Sequence, residues 1–248
     1  VKLFTACLFI FISNLSIEAS PLIAVASNFS HTMKEIVKLY EREHGVQLQI
    51  SLGSTGSLYS QIRNGAPFDA FFSADTSTVE KLSADKLTID SSRFTYASGK
   101  IAFICPSCKR VENWKDVATS LKGKVAIANP KLAPYGRAAK QALVKNDLFN
   151  DVASKLVYGN NIGSTYQYIR TGNSSSGFVA KSLLIADKVD TNTYQEISEN
   201  DYDPIEQECI ILKRSKFKNE MKHFFIFLKS KKVKDMIKTF GYKVSENV

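Results

Sequence analysis

Residues 49–63 read QISLGSTGSLYSQIR, and the change of period inside this stretch decides the fold class. Leu48, Ile50 and Leu52 alternate as in a half-buried strand, Gly53 to Ser57 form a tight turn, and Leu58 and Ile62 follow at helical spacing. Such a strand, turn and helix start leaves the first helical N–H groups without internal partners, at the positive end of the helix dipole. Ser54, Thr55 and Ser57 add hydroxyl donors, and the turn carries no lysine or arginine. An anion held here would be held by neutral groups, which suits a small ligand read by shape better than an extended polyanion. Taken alone, the turn is more simply an ordinary N-cap in which Ser54 or Thr55 satisfies its own backbone.

The same design precedes it. Leu22 to Ala26 is a short apolar strand, Ser27-Asn28 opens the next segment, and Phe29, Met33, Ile36, Val37 and Tyr40 keep helical spacing until Gly45. Two such units in a parallel sheet open at one edge, where α/β folds bind ligands. The stretch 65–82 adds a buried strand, Asp69 to Ala74, and a helix start from Thr76. Further on, Asn129-Pro130 ends the strand Val125 to Ala128, and Pro134-Tyr135-Gly136 precedes a helix marked by Ala138, Ala139, Ala142 and Leu143. Gly159 to Ser164 leads into a helix with Tyr166 and Ile169. Four neutral helix starts of this kind exceed what capping requires, and turns from two lobes could surround a tetrahedral dianion with N–H and O–H donors.

Residues 1–19 carry one early cation, Lys2, then an apolar run from Leu3 to Ile12 and small residues up to Ala19, the pattern of a secretory signal peptide. The run is too short to span a membrane, so a soluble protein outside the cytoplasm is expected. The remaining roughly 230 residues suffice for two lobes of ordinary size. At 44% hydrophobic and 23% charged the composition is that of a globular protein and argues against disorder. The net charge of +9 is diffuse. Its densest part, Lys213 to Lys238, alternates lysines with Phe224, Phe225, Phe227, Leu228, Met236 and Ile237, as solvated helix faces over an apolar stripe do. The three histidines, His31, His44 and His223, are scattered and form no metal or nucleophile constellation.

Several blocks in order resemble the periplasmic molybdate-binding proteins, the solute receptors of molybdate ABC importers. They are residues 24–46 (AVASNFSHTMKEIVKLYEREHGV), 53–75 (GSTGSLYSQIRNGAPFDAFFSAD), 93–103, 127–143, 159–180 and 227–242, covering essentially the whole chain after residue 19. The resemblance implies an α/β fold of the periplasmic binding protein type II class, two lobes with a hinge. Residues 20–101 and 208–248 would form one lobe and 102–207 the other, with crossings near Ala102 and Glu208. It implies a binding protein rather than an enzyme, without a cofactor, expected to be a periplasmic monomer. Its ligand would be molybdate or tungstate, and its partners a permease and its ATPase. Mapped residue by residue, the oxyanion would be held by Ser27 with neighbouring Asn28, by Thr55 beside Ser54, and by the main-chain N–H groups of Tyr135 and Ile162. On this mapping the Tyr135 hydroxyl is dispensable. Some members place a tyrosine where this chain has Ala180, and Asn28 is the candidate to replace that donor.

Beyond residue 19, Cys105, Cys108 and Cys209 remain, an odd number. A structural disulfide is expected, either local between Cys105 and Cys108 or to Cys209, the short loop favouring the local bond. If Ala102 to Cys105 and Glu208 to Leu212 are the strands that link the lobes, they should run side by side. Three other readings stay open: a thiol-disulfide protein using Cys105 and Cys108, a basic surface-binding or nucleic-acid-binding protein, and a receptor for sulfate or another oxyanion.

Overall fold

The computed structural model describes residues 20–245; the expected signal peptide, residues 1–19, lies outside the described residues. The strands are β1 Leu22–Ala26, β2 Gln49–Gly53, β3 Ala70–Phe72, β4 Thr88–Gly99, β5 Ile101–Ile104, β6 Val125–Ala128, β7 Leu156–Gly159, β8 Ser176–Ala180, β9 Tyr194–Glu196 and β10 Ile205–Leu212. The helices are α1 Ser30–His44, α2 Thr55–Arg63, α3 Thr76–Ala84, α4 Trp114–Ser120, α5 Pro134–Lys145, α6 Phe149–Ala153, α7 Ile162–Arg170, α8 Lys181–Ala186, α9 Lys218–Leu228 and α10 Lys231–Thr239. None of these helices is long and apolar enough to cross a membrane.

The strands form two mixed five-stranded sheets, ordered β2-β1-β3-β10-β4 and β7-β6-β8-β5-β9. In the first, β1 runs parallel to β2 and β3, while β10 is antiparallel to β3 and β4. In the second, β6 runs parallel to β7 and β8, while β5 is antiparallel to β8 and β9. Ala26 pairs with Gly53, and Ala128 with Gly159. In each sheet an edge strand and the strand beside it therefore end level, and the turns that follow emerge at one edge.

Alternation divides the first lobe's interior. Ile23, Val25, Ala70, Phe72, Cys209 and Ile211 face one core with Phe29, Met33 and Phe224, whereas Ala24, Phe71, Ile210 and Leu212 face another with Leu58, Val79 and Leu82. The second lobe has its own core around Phe103, Ile127, Leu143 and Phe178. The lysine-rich C-terminal segment behaves as amphipathic helices: α9 buries Met221, Phe224, Phe225, Phe227 and Leu228, and α10 buries Val233 and Ile237.

Two features of the crossings differ from the sequence-based expectation. β5 cannot lie beside β10, because β8 and β9 occupy both of its edges, and β3 and β4 occupy both edges of β10. The strands that run together at the crossings are β4 and the start of β10, with Gly99 opposite Ile205, so β10 already belongs to the first sheet from Ile205. Cys105 and Cys108 form the local disulfide, and Cys209, buried between Phe72 and Phe94 of the neighbouring strands, stays a free thiol.

Beside the crossing, Lys100 Nζ lies 2.6 Å from Glu196 and 3.1 Å from Glu199; Lys181 also pairs with Glu196, and Lys243 with Glu199. Burial raises the Glu196 carboxyl, but hydrogen bonds from Lys100 and Lys181 outweigh it and leave the group below its ordinary 4.5. The hydrogen bond from Lys243, with help from Lys100, lowers Glu199 despite some desolvation. Carboxyls lowered in the folded state add stability that is complete above their ordinary value and is lost as pH falls through the folded value. Glu196→Gln should therefore lower the urea midpoint at neutral pH, and the gap from wild type should close between about pH 5 and pH 3. A gap unchanged at low pH would show that the cluster contributes nothing through charge.

Candidate functional site

The four turns singled out in the sequence meet between the lobes. Ser27 and Asn28 lie in a 3-10 turn directly after β1. Ser54 caps α2 with its side chain on Ser57 N, making Thr55 the first residue of that helix. Pro134 opens α5, which puts Tyr135 second, and Ile162 opens α7 behind Asn161, whose side chain and Ser164 form a capping box. Ser27, Asn28, Ser54, Thr55, Tyr135 and Ile162 are all buried, none more than 5% exposed.

Three hydrogen bonds bring the turns of the two lobes together. Gly56 N donates to Leu132 O at 2.9 Å, Gly163 N to Ser27 Oγ at 3.3 Å, and the Asn28 amide reaches the Tyr135 hydroxyl at 3.4 Å. An ion pair between Arg137 of α5 and Asp75, the N-cap of α3, adds a fourth tie.

The donors here have a definite direction. Thr55 Oγ1 accepts from Ala74 N at 3.0 Å, as Ser27 Oγ accepts from Gly163 N. A hydroxyl that accepts a main-chain hydrogen keeps its own proton free to donate elsewhere. The N–H groups of Thr55, Tyr135 and Ile162 stand in first helical turns, where no intrahelical acceptor exists, and none has an acceptor among the described residues. Each buried donor left unpaired costs about 1–3 kcal/mol. Helix dipoles from α2, α5 and α7 add positive potential, so the enclosure suits an anion that accepts from every side.

Asn28 takes a different part from the one its sequence position suggested. Its side-chain amide donates to Gln207 Oε1 at 2.7 Å and lies 3.2 Å from the Tyr242 hydroxyl, besides reaching Tyr135. With both amide hydrogens engaged, it cannot stand in for the tyrosine donor absent at Ala180, and only its backbone is left to face an anion. The Tyr135 hydroxyl is likewise held, accepting from Gln207 Nε2 at 3.2 Å. It packs so closely on the crossing that a Cβ at Gly99 would stand 2.0 Å from its oxygen.

Residues that the sequence reading missed complete this network. Tyr96 donates to Gln207 Oε1 at 3.1 Å, while Tyr242 and Ser182 both donate to Asn28 O, at 2.8 and 3.0 Å. A signal was available for Gln207, an uncharged polar residue in the strand IEQECIIL that is fully buried. Burial pushes the phenols of Tyr96, Tyr135 and Tyr242 upward, so the network is neutral at ordinary pH. No group of three or more potential metal ligands occurs among the described residues.

Comparison with known proteins gives these features a context. The family of bacterial extracellular solute-binding proteins matches residues 21–243. The molybdate-binding protein ModA of Azotobacter vinelandii is 40% identical over 222 residues, covering 89% of this chain and 88% of the relative. That of Rhodobacter capsulatus is 35% identical over 219 residues, covering 88% and 86%. The solved periplasmic molybdate-binding protein of Azotobacter vinelandii superposes with a TM-score of 0.87 at 31% identity, over 91% of this chain and all of that one. A sulfate-binding protein of Mycobacterium tuberculosis, at 11% identity and a TM-score of 0.76, shares the fold. With its two-lobed α/β architecture and a buried donor cluster between the lobes, the chain belongs to the bacterial extracellular solute-binding protein family.

Proposed function

We propose that this protein captures molybdate, and tungstate as its heavier congener, between its two lobes outside the cytoplasm. It would then deliver the anion to an ABC-type permease driven by a separate ATPase. The observation that carries the reading is the buried cluster of directed donors: the hydroxyls of Ser27 and Thr55 with the N–H groups of Thr55, Tyr135 and Ile162. None of these residues is a cation or a carboxylate, so the site is matched to a fully deprotonated oxyanion. Enclosure by a single chain fits a monomer, and the names of the relatives at 40% and 35% identity support molybdate.

Selectivity follows from the same chemistry. Phosphate near neutral pH carries a proton that needs an acceptor, and these groups offer donors. Sulfate has the right charge but shorter bonds, so a cage sized for molybdate would leave donors unpaired at about 1–3 kcal/mol each. Calorimetry against molybdate, tungstate, sulfate and phosphate in turn should give tight binding for the first two alone. Comparable affinity for sulfate would replace this reading with that of a general oxyanion receptor.

Removing either hydroxyl tests the donor assignment. Ser27→Ala and Thr55→Ala should each weaken molybdate by about 1.5–3 kcal/mol, the range for a hydrogen bond to a charged group. Wild-type affinity in both variants would remove the side chains from the site.

The hydrogen bonds of the Tyr135 hydroxyl reverse the expectation that it is dispensable. Tyr135→Phe leaves Gln207 Nε2 buried without its acceptor, at about 1–3 kcal/mol. A lowered melting temperature together with weaker binding is the expected outcome, and a variant unchanged in both would show that the hydroxyl ties nothing.

A further inference from the structure

The two glycines that follow the proposed N1 donors occupy equivalent places. Thr55-Gly56 opens α2 in the first lobe and Ile162-Gly163 opens α7 in the second. In each pair the first N–H has no acceptor among the described residues, and the second donates to the opposite lobe: Gly56 N to Leu132 O, Gly163 N to Ser27 Oγ. Neither glycine has the positive φ that would make the residue type a backbone requirement. At Gly56 space is the requirement instead. A Cβ on Gly56 would lie 3.1 Å from Leu132 O and 3.2 Å from Leu132 Cα, and one on Gly163 would lie 3.4 Å from Ser27 Cβ and 3.2 Å from the Asn161 side-chain oxygen.

We infer that Gly56 and Gly163 are positioning residues that form a reciprocal main-chain clasp, which closes over the bound anion and orients its donors. The inference rests on the oxyanion-receptor reading. Because the hydrogen given to Ser27 Oγ comes from the other lobe, Ser27 acquires its direction as a donor only when the lobes meet. Closure thus strengthens a bond to the anion that the open form cannot make equally well, and the anion in turn favours closure. The clasp uses backbone donors on both sides; Gly56 N meets a main-chain carbonyl and Gly163 N a side-chain hydroxyl, and at Gly56 an added methyl group would press on the Leu132 main chain.

The clasp and a merely structural role predict opposite signs. Alanine is a better helix former than glycine, so Gly56→Ala, early in α2, should leave the ligand-free melting temperature unchanged or raise it. Binding should nevertheless weaken, by about tenfold for Gly56→Ala, and further for Gly56→Val. Gly163→Ala, whose methyl group would meet Ser27 at ordinary contact distance, should weaken binding less than Gly56→Ala. The measurements are calorimetry of the full chain with molybdate and thermal melts without ligand, wild type and variants side by side. Gly56→Ala binding within about twofold of wild type would overturn the clasp, as would a loss of ligand-free stability matching the loss of affinity. The wild-type arm tests the ligand separately. If wild type prefers sulfate, the molybdate reading fails and the variants are judged on sulfate; if it binds none of the four anions, the clasp falls with the reading.

Discussion

The arrangement depends on main-chain N–H groups at helix starts that have no acceptor of their own. A parallel strand followed at once by a helix produces such groups, and this chain does so repeatedly at one edge of each sheet. Most are satisfied locally: Ser57 N by Ser54, Thr78 N by Asp75, Ser164 N by Asn161. Those of Thr55, Tyr135 and Ile162 are buried without such a partner, and the energy of pairing them is what an anion can supply. The cap side chains use up the later donors and leave the earlier ones unpaired.

The two lobes are tied together by the network around Gln207. It joins Asn28, Tyr96 and Tyr242 of the first lobe to Tyr135 and Ser182 of the second, next to the crossing at Gly99. Its members are neutral, and burial keeps the three phenols protonated far above physiological pH. A polar pivot built this way keeps its hydrogen-bond pattern across the pH range in which the lysine and glutamate cluster beside Lys100 is ionised. Because every member is buried, losing one partner costs more than the bond itself contributed.

The strand-turn-helix units were legible because each announces itself locally, through a change from period 2 to helical spacing across a run of Gly, Ser, Thr or Asn. The turns that hold Ser27, Thr55, Tyr135 and Ile162 could be placed on that basis, and the family resemblance chose the member of each turn proposed as a ligand. Which strands pair at the crossings was not legible, since register between β4 and β10 is set by partners over a hundred residues apart and includes irregularities at Gln207/Glu208 and Cys209/Ile211. The same distance hid the roles of Asn28 and the Tyr135 hydroxyl. Asn28 sits beside the expected ligand turn, yet its amide belongs to a contact with Gln207, 179 positions away.

The surface between the lobes also explains how a receptor can be stable and still open. Each lobe has its own apolar core, and the first lobe adds to the second lobe's core only Ala26, Ala74 and, at the crossing itself, Ile205 of β10. The remaining cross-lobe contacts described are polar groups, glycines and the ion pairs Arg137–Asp75 and Lys243–Glu199. Away from the crossing only two alanine side chains would separate, and at about 25 cal/mol per Å² the hydrophobic cost of opening is small beside that of breaking either core. Donors exposed by opening regain water as partners, so their pairing changes little in free energy unless something drier and more highly charged replaces the water. With the hydrophobic term kept inside the lobes, the balance between open and closed is left to the few buried donors, which is where a small anion can act on it.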